Sequence, residues 1–152
     1  MDLEYIFEEN NRILAPMRKE NLIKLMNFRN KQMDILRQYK PLTEENQEEW
    51  FKKISKDRNQ IMFEILFKEK NKIKFIGACG LTYIDYLNRR AELSFVDDSE
   101  RVKNEKTYKN DFIAVLKMLC EYSFGKLNLN KIYTETYSFR ERHIKILESF
   151  GF

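Results

Sequence analysis

The 152-residue sequence holds only two cysteines, four glycines and one histidine. Each scarcity excludes something. Cys79 and Cys120 both sit in apolar runs, where a thiol acts as a small buried hydrophobe rather than a metal or redox group. The single histidine, His143, has no second histidine and no cysteine cluster beside it, so no metal site is expected. It reads as a surface residue of a helix. No uncharged apolar run approaches the roughly 18–20 residues that cross a bilayer. The acidic N-terminus lacks a signal-peptide pattern. Neither a Gly-x-Ser-x-Gly elbow nor a P-loop occurs. No excess of one charge dominates: 28 Lys and Arg against 24 Asp and Glu leave a net charge of +4. Acidic and basic residues are interspersed, whereas a dedicated nucleic-acid binder gathers Lys and Arg on one face. The balance suits an anionic small ligand such as a nucleotide. A cytoplasmic protein that binds neither nucleic acid nor membrane is expected.

A hydrophobic content of 43%, with 14% aromatics, is enough for a real core, and the length is that of one domain, 1–152. Residues 1–11 form an extra strand or a mobile arm. Ile13 to Met17 reads as a short strand, interrupted by Pro16 and therefore at an edge. Glu20 to Asn30 reads as a helix. Thr43 is a good N-cap for a second helix, with Glu44 and Glu45 in its first turn and Trp50, Phe51 and Ile54 on its apolar side. Ile61 to Phe67 and Lys72 to Tyr83 read as a hairpin. Gly77 and Gly80 inside its second strand signal a bulge or a close backbone approach.

From Arg90 onward the chain reads strand, loop, helix, strand, helix. The strand is Arg90 to Val96, and the loop is Asp97 to Asn110. Phe112, Val115, Leu116, Leu119 and Ser123 mark one face of a helix from Asp111 to Phe124. Ile132 to Tyr137 is rich in aromatic and β-branched residues and reads as a strand. Ser138 and Glu141 form a capping box for a last helix, Phe139 to Ser149, with Gly151 as its stop.

Two stretches carry a resemblance. They are Tyr122-Ser123-Phe124-Gly125-Lys126-Leu127-Asn128-Leu129-Asn130-Lys131 and the run from Ser138-Phe139-Arg140-Glu141-Arg142 to Glu148-Ser149-Phe150-Gly151-Phe152. The chain resembles the GNAT acyltransferase superfamily, in the branch of ribosomal-protein N-terminal and amino-sugar acetyltransferases. Ile13 to Met17 is similar to that family's first strand. The implied fold is α+β, a central mixed, mostly antiparallel sheet flanked by helices, without the family's last two strands. The implied open edge at Ile132 to Tyr137 raises the expectation of a homodimer.

The resemblance implies acetyl-CoA as co-substrate and a small-molecule amine as acceptor, an amino-sugar nucleotide first and a peptide N-terminus second. Lys106, Thr107, Tyr108, Lys109, Asn110 and Asp111 take the place of the family's diphosphate loop. Its glycines fall on Tyr108, Asn110 and Phe112, none of which lets a backbone N–H approach a phosphate freely. The backbone of Phe95 and Val96 matches the positions that contact the pantetheine arm, and Arg140 matches an asparagine that touches the cofactor. The family's tyrosine near the thiol is Leu147 here, so Tyr137, with Tyr133 and Tyr83 as alternatives, takes that role. Glu92 is the candidate base, or else a buried, paired structural residue. Arg29 and Arg37 are candidates for gripping an acidic acceptor. The altered motifs leave a second reading open, a GNAT-fold binding or assembly module with weakened catalysis.

Overall fold

A computed structural model describes residues 7–152. Residues 1–6 lie outside it, so the reading of the N-terminal segment is met only by a strand at Phe7–Glu9 (β1). β2 is Arg12–Pro16, β3 Ile61–Glu69, β4 Lys72–Asp85, β5 Arg90–Asp97 and β6 Lys131–Tyr133. The helices are α1 Leu22–Asn30, α2 Glu44–Ile54, α3 Ser99–Val102, α4 Glu105–Glu121 and α5 Glu141–Phe150. Among the described residues the strands form one sheet in chain order. The first four pairings are antiparallel and β5–β6 is parallel. The expected mixed, mostly antiparallel sheet flanked by helices is therefore present.

Alternation along the strands builds two cores, one on each face of the sheet. Leu14, Phe63, Ile65, Ile76, Cys79, Leu81, Ala91 and Leu93 meet Phe112, Val115, Leu116 and Leu119 of α4 and Ile146 and Leu147 of α5. Ala15, Leu66, Phe75, Ala78 and Val96 meet Leu22 and Leu25 of α1, with Trp50, Phe51 and Ile54 of α2 packed alongside. A sheet buried on both faces explains why β4 reads as a nearly continuous apolar run.

Both glycines of β4 are close approaches. A Cβ on Gly77 would lie 2.1 Å from the Val96 carbonyl oxygen, and one on Gly80 2.0 Å from that of Ile61. The β3–β4 register also shifts between Ile65 and Leu66, as a bulge would require. Thr43 caps α2 as expected, in a reciprocal box with Asn46. Pro16 is not on an edge strand, because β1 pairs with β2 as far as Leu14. Among the described residues it sits just past that pairing.

Four boundaries differ from the sequence reading. The first helix opens with a 3-10 turn, Lys19–Asn21. The loop expected over Asp97 to Asn110 contains α3, and α4 begins at Glu105 rather than Asp111. Its N-cap is Asn104, whose Oδ1 accepts from the Thr107 N–H at 3.0 Å. Tyr108, one turn before Phe112, extends the buried face backwards. β6 is only three residues long, because the chain after Tyr133 leaves β5. The Ser138–Glu141 box does not form: Arg140 is the N-cap of α5, without a side-chain cap bond.

Candidate active site

The site exists because β5 and the chain after β6 part company. Their pairing ends at Glu92↔Tyr133. Beyond it only Thr134 reaches back, its Oγ1 3.4 Å from the Leu93 carbonyl oxygen. A cleft of about 400 Å³ opens there, floored by Leu93 to Val96 and walled by Thr134 to Tyr137. It runs through the sheet. Arg29, Leu36 and Arg37 line it from the α1 side, and Phe112, Arg140 and His143 from the side of α4 and α5. The structure thus brings together Glu92, Phe95, Val96, Tyr137, Arg140, Arg29 and Arg37 of the sequence-derived set.

The α1 side is charged. Glu92 is buried and pairs with Arg37, whose other nitrogen holds Glu135 at 2.8 Å. Glu92 is therefore both cleft-lining and paired, and Arg37 is shared between two carboxylates rather than free. Arg29 differs. Its Nε donates to Gln38 Oε1 at 3.3 Å, and among the described residues it has no carboxylate partner. Burial draws its pKa down, but an arginine at such a site keeps its charge.

The opposite side is aromatic. Phe95 stacks on Phe112 at 4.7 Å and 4°, and Phe112 stacks on His143 at 4.5 Å and 10°. His143 is buried, not on the surface as its sequence context suggested. Its Nδ1 lies 2.7 Å from Tyr108 Oη, which also accepts from Arg140 Nη2 at 3.1 Å. Burial, then the positive charge of Arg140, push the His143 pKa down to about 3. Burial carries Tyr108 up to about 12 against the opposing pull of Arg140. Neither grouping was read from the sequence. The available signal was one-turn spacing, which puts Tyr108 beside Phe112 on α4 and His143 beside Leu147 on α5.

The six residues matched to a diphosphate loop do not make one. All lie within α4, where the Tyr108 N–H is already bonded to the Asn104 carbonyl oxygen at 2.9 Å. Lys106 and Lys109 are exposed, Thr107 is bonded to its cap and Asn110 is half-buried. Asp111 points inward and is fully buried, where it binds Arg12 at 2.8 Å and Arg101 at 2.7 Å. Burial alone would raise its pKa, but bonds from Arg101, Asp97 and Arg12 hold it below the usual range. The neighbouring Asp97 is driven well above that range by burial and by the Asp111 carboxylate.

A family model described as an acetyltransferase (GNAT) domain matches residues 14–152. The chain belongs to the GNAT family. An uncharacterized N-acetyltransferase p20 of Bacillus licheniformis is 36% identical over 90 residues, which cover 59% of this chain and 47% of that protein. The chain thus matches about half the length of that curated relative. The spermidine N-acetyltransferase of Vibrio cholerae, solved in complex with CoA and spermine, superposes with a TM-score of 0.79 at 23% identity. That match covers 94% of this chain and 81% of the other. A domain from Methanocaldococcus jannaschii gives 0.72 at 20% identity, covering 93% and 87%. At these identities the solved structures speak for the fold alone. Among the described residues no helix is long and apolar enough to cross a membrane, and no cluster of His, Cys, Asp and Glu could hold a metal.

Proposed function

We propose that this GNAT chain transfers the acetyl group of acetyl-CoA to the primary amine of a small molecule that also carries an anionic group. An amino-sugar nucleotide fits that description better than a peptide N-terminus. Arg29 carries the choice: it is a half-buried guanidinium lining the cleft, with no carboxylate partner among the described residues. A buried charge without a partner is costly, and an acceptor's phosphate or carboxylate would supply one. Arg37 cannot serve that way while Glu92 and Glu135 hold it.

The residues suit one part of acetyl-CoA and not another. Thr136 lines the cleft with its Oγ1 buried and unpartnered. The main chain of Ser94 to Val96 has no strand partner on the cleft side among the described residues. Both offer bonds to the amides of a pantetheine arm. The diphosphate would meet no glycine, a helix start already capped by Asn104, and Glu105 in the first turn.

Acetyl-CoA supplies an acyl carbon activated as a thioester. Glu92, oriented by Arg37, takes a proton from the amine nitrogen as the nitrogen–carbon bond forms and the carbon–sulfur bond breaks. Tyr137 gives its phenolic proton to the departing sulfur and is reprotonated, through water, by the proton that Glu92 releases. A second reading, a binding module without turnover, draws on the filled helix start. Its signature is saturable acetyl-CoA binding without thiol release.

An acceptor panel with the Arg29→Ala variant tests the proposal. The KM for an amino-sugar nucleotide should rise roughly 10- to 100-fold, the range for losing a charged hydrogen bond, while any activity on spermidine stays unchanged. An unchanged KM, or a wild-type preference for spermidine, would overturn the acceptor class.

A further inference from the structure

The α4–α5 side of the cleft holds a chain of three polar groups, Arg140, Tyr108 and His143. Arg140 Nη2 can only donate, so Tyr108 Oη accepts from it at 3.1 Å. Tyr108 is buried, and among the described residues the one acceptor within reach of its own hydroxyl proton is His143 Nδ1, at 2.7 Å. The proton on Tyr108 therefore points at Nδ1, which leaves the imidazole proton on Nε2. That nitrogen makes no hydrogen bond among the described residues, and it is not sealed from the cleft that the ring lines. The ring itself is fixed by its stack on Phe112, which in turn lies on Phe95 of β5.

We propose that His143 is the cleft's neutral hydrogen-bond donor, held by Arg140 and Tyr108 as the Nε2–H tautomer and offered to the acyl oxygen as negative charge develops on it. The proposal rests on the acyltransferase reading above. It places the donor across the cleft from Glu92, so that base and donor address the acyl carbon from opposite faces of the sheet. It also gives α5 a polar contribution one turn before Leu147, which is packed in the core. A pre-aimed N–H is among the strongest aids to acyl transfer, and losing one such donor costs about 100- to 1,000-fold in kcat. The charged and titratable groups nearest the ring are Arg140 at the start of α5 and Tyr108 on α4. Asp97 and Asp111 stand behind Tyr108. The cation and the burial both disfavour a second proton on the ring, so donor strength stays constant across the working pH.

His143 is the sole histidine, so nitrogen-15 NMR of the histidine-labelled protein reads the ring without ambiguity and without any substrate. The expected spectrum shows Nε2 protonated and Nδ1 bare from pH 5 to 8, with a mixture of tautomers in the Tyr108→Phe variant. An Nδ1–H tautomer, or protonation of the ring near pH 6.5, would overturn the proposal. The kinetic arm uses His143→Ala and His143→Gln. Alanine should lower kcat about 100-fold with the KM for acetyl-CoA unchanged, and glutamine, which keeps a donor, should stay within about tenfold of wild type. Equal losses in both variants, or a loss in KM alone, would assign His143 a packing role instead. If wild type releases no thiol with any amine, the acyltransferase reading falls and the catalytic role with it, while the tautomer still reports whether the three-residue chain exists.

Discussion

Asp97 and Asp111 lie side by side in the interior, and only one can be ionised. Asp111 holds the negative charge because Arg12 and Arg101 surround it. Asp97 Oδ2 is sealed in and meets no donor, which a proton resolves by turning that oxygen into a donor toward Asp111. The native pKa of Asp97 is thus raised above its unfolded value. The native state then binds the extra proton, and stability is fully present below about pH 4 and declines as pH rises above the unfolded pKa. Asn is the neutral copy of this carboxylic acid. Asp97→Asn should therefore raise the melting temperature at pH 8 and flatten the decline in stability expected of wild type between pH 7 and 9, above the range where the unfolded-state histidine titrates. An equal or lower melting temperature at pH 8 would contradict the shared proton. At this scale the sequence was legible where a residue type and its strand position sufficed. Glu92 and Arg29 were singled out through the family resemblance, and both line the cleft. The Asp97–Asp111 pair and the Tyr108–His143 bond join residues on different elements, and no local spacing announces such contacts.

The elements were legible wherever periodicity ran through them and uncertain where caps decided. β3, β4 and α2 follow their apolar pattern, whereas the start of α4 was set by Asn104, a cap hidden in a run of charged residues. The two glycines of β4 show the opposite case, a local signal that the structure explains in full. Gly80→Ala should destabilise the protein by at least about 3 kcal/mol, because its Cβ would meet a carbonyl oxygen that only backbone movement can relieve. Gly125→Ala, which meets nothing within 4 Å, should change stability by less than about 1 kcal/mol. Equal urea midpoints for the two variants would refute the close approach. The start of α4 carries a functional expectation too. Moving it from Asp111 to Glu105 displaces the free N–H groups by six residues, about 9 Å at 1.5 Å per residue. The nucleotide end of acetyl-CoA then adds little, and acetyl-pantetheine should match acetyl-CoA in kcat/KM within about tenfold. A preference for acetyl-CoA beyond about 100-fold would show that the diphosphate has a cradle after all.

The whole molecule is a sheet buried on both faces and opened at one place. That opening was only partly legible. The order of strands and helices pointed to the fold, but the early parting of β6 from β5 depends on where pairing stops, which sequence pattern resolves poorly. Ile132 to Tyr137 was read as one strand, and four of its six residues, Thr134 to Tyr137, turned out to be cleft wall. The consequence is that Glu92, Arg29 and His143 line one space from two layers. Thiol release from acetyl-CoA in the presence of an amino-sugar nucleotide, compared between wild type and Glu92→Gln, tests this account most directly. Saturable release in wild type, reduced at least about 100-fold in the variant with little change in KM, is the predicted result. Release that the variant leaves intact, or no release in wild type with any amine, would contradict it.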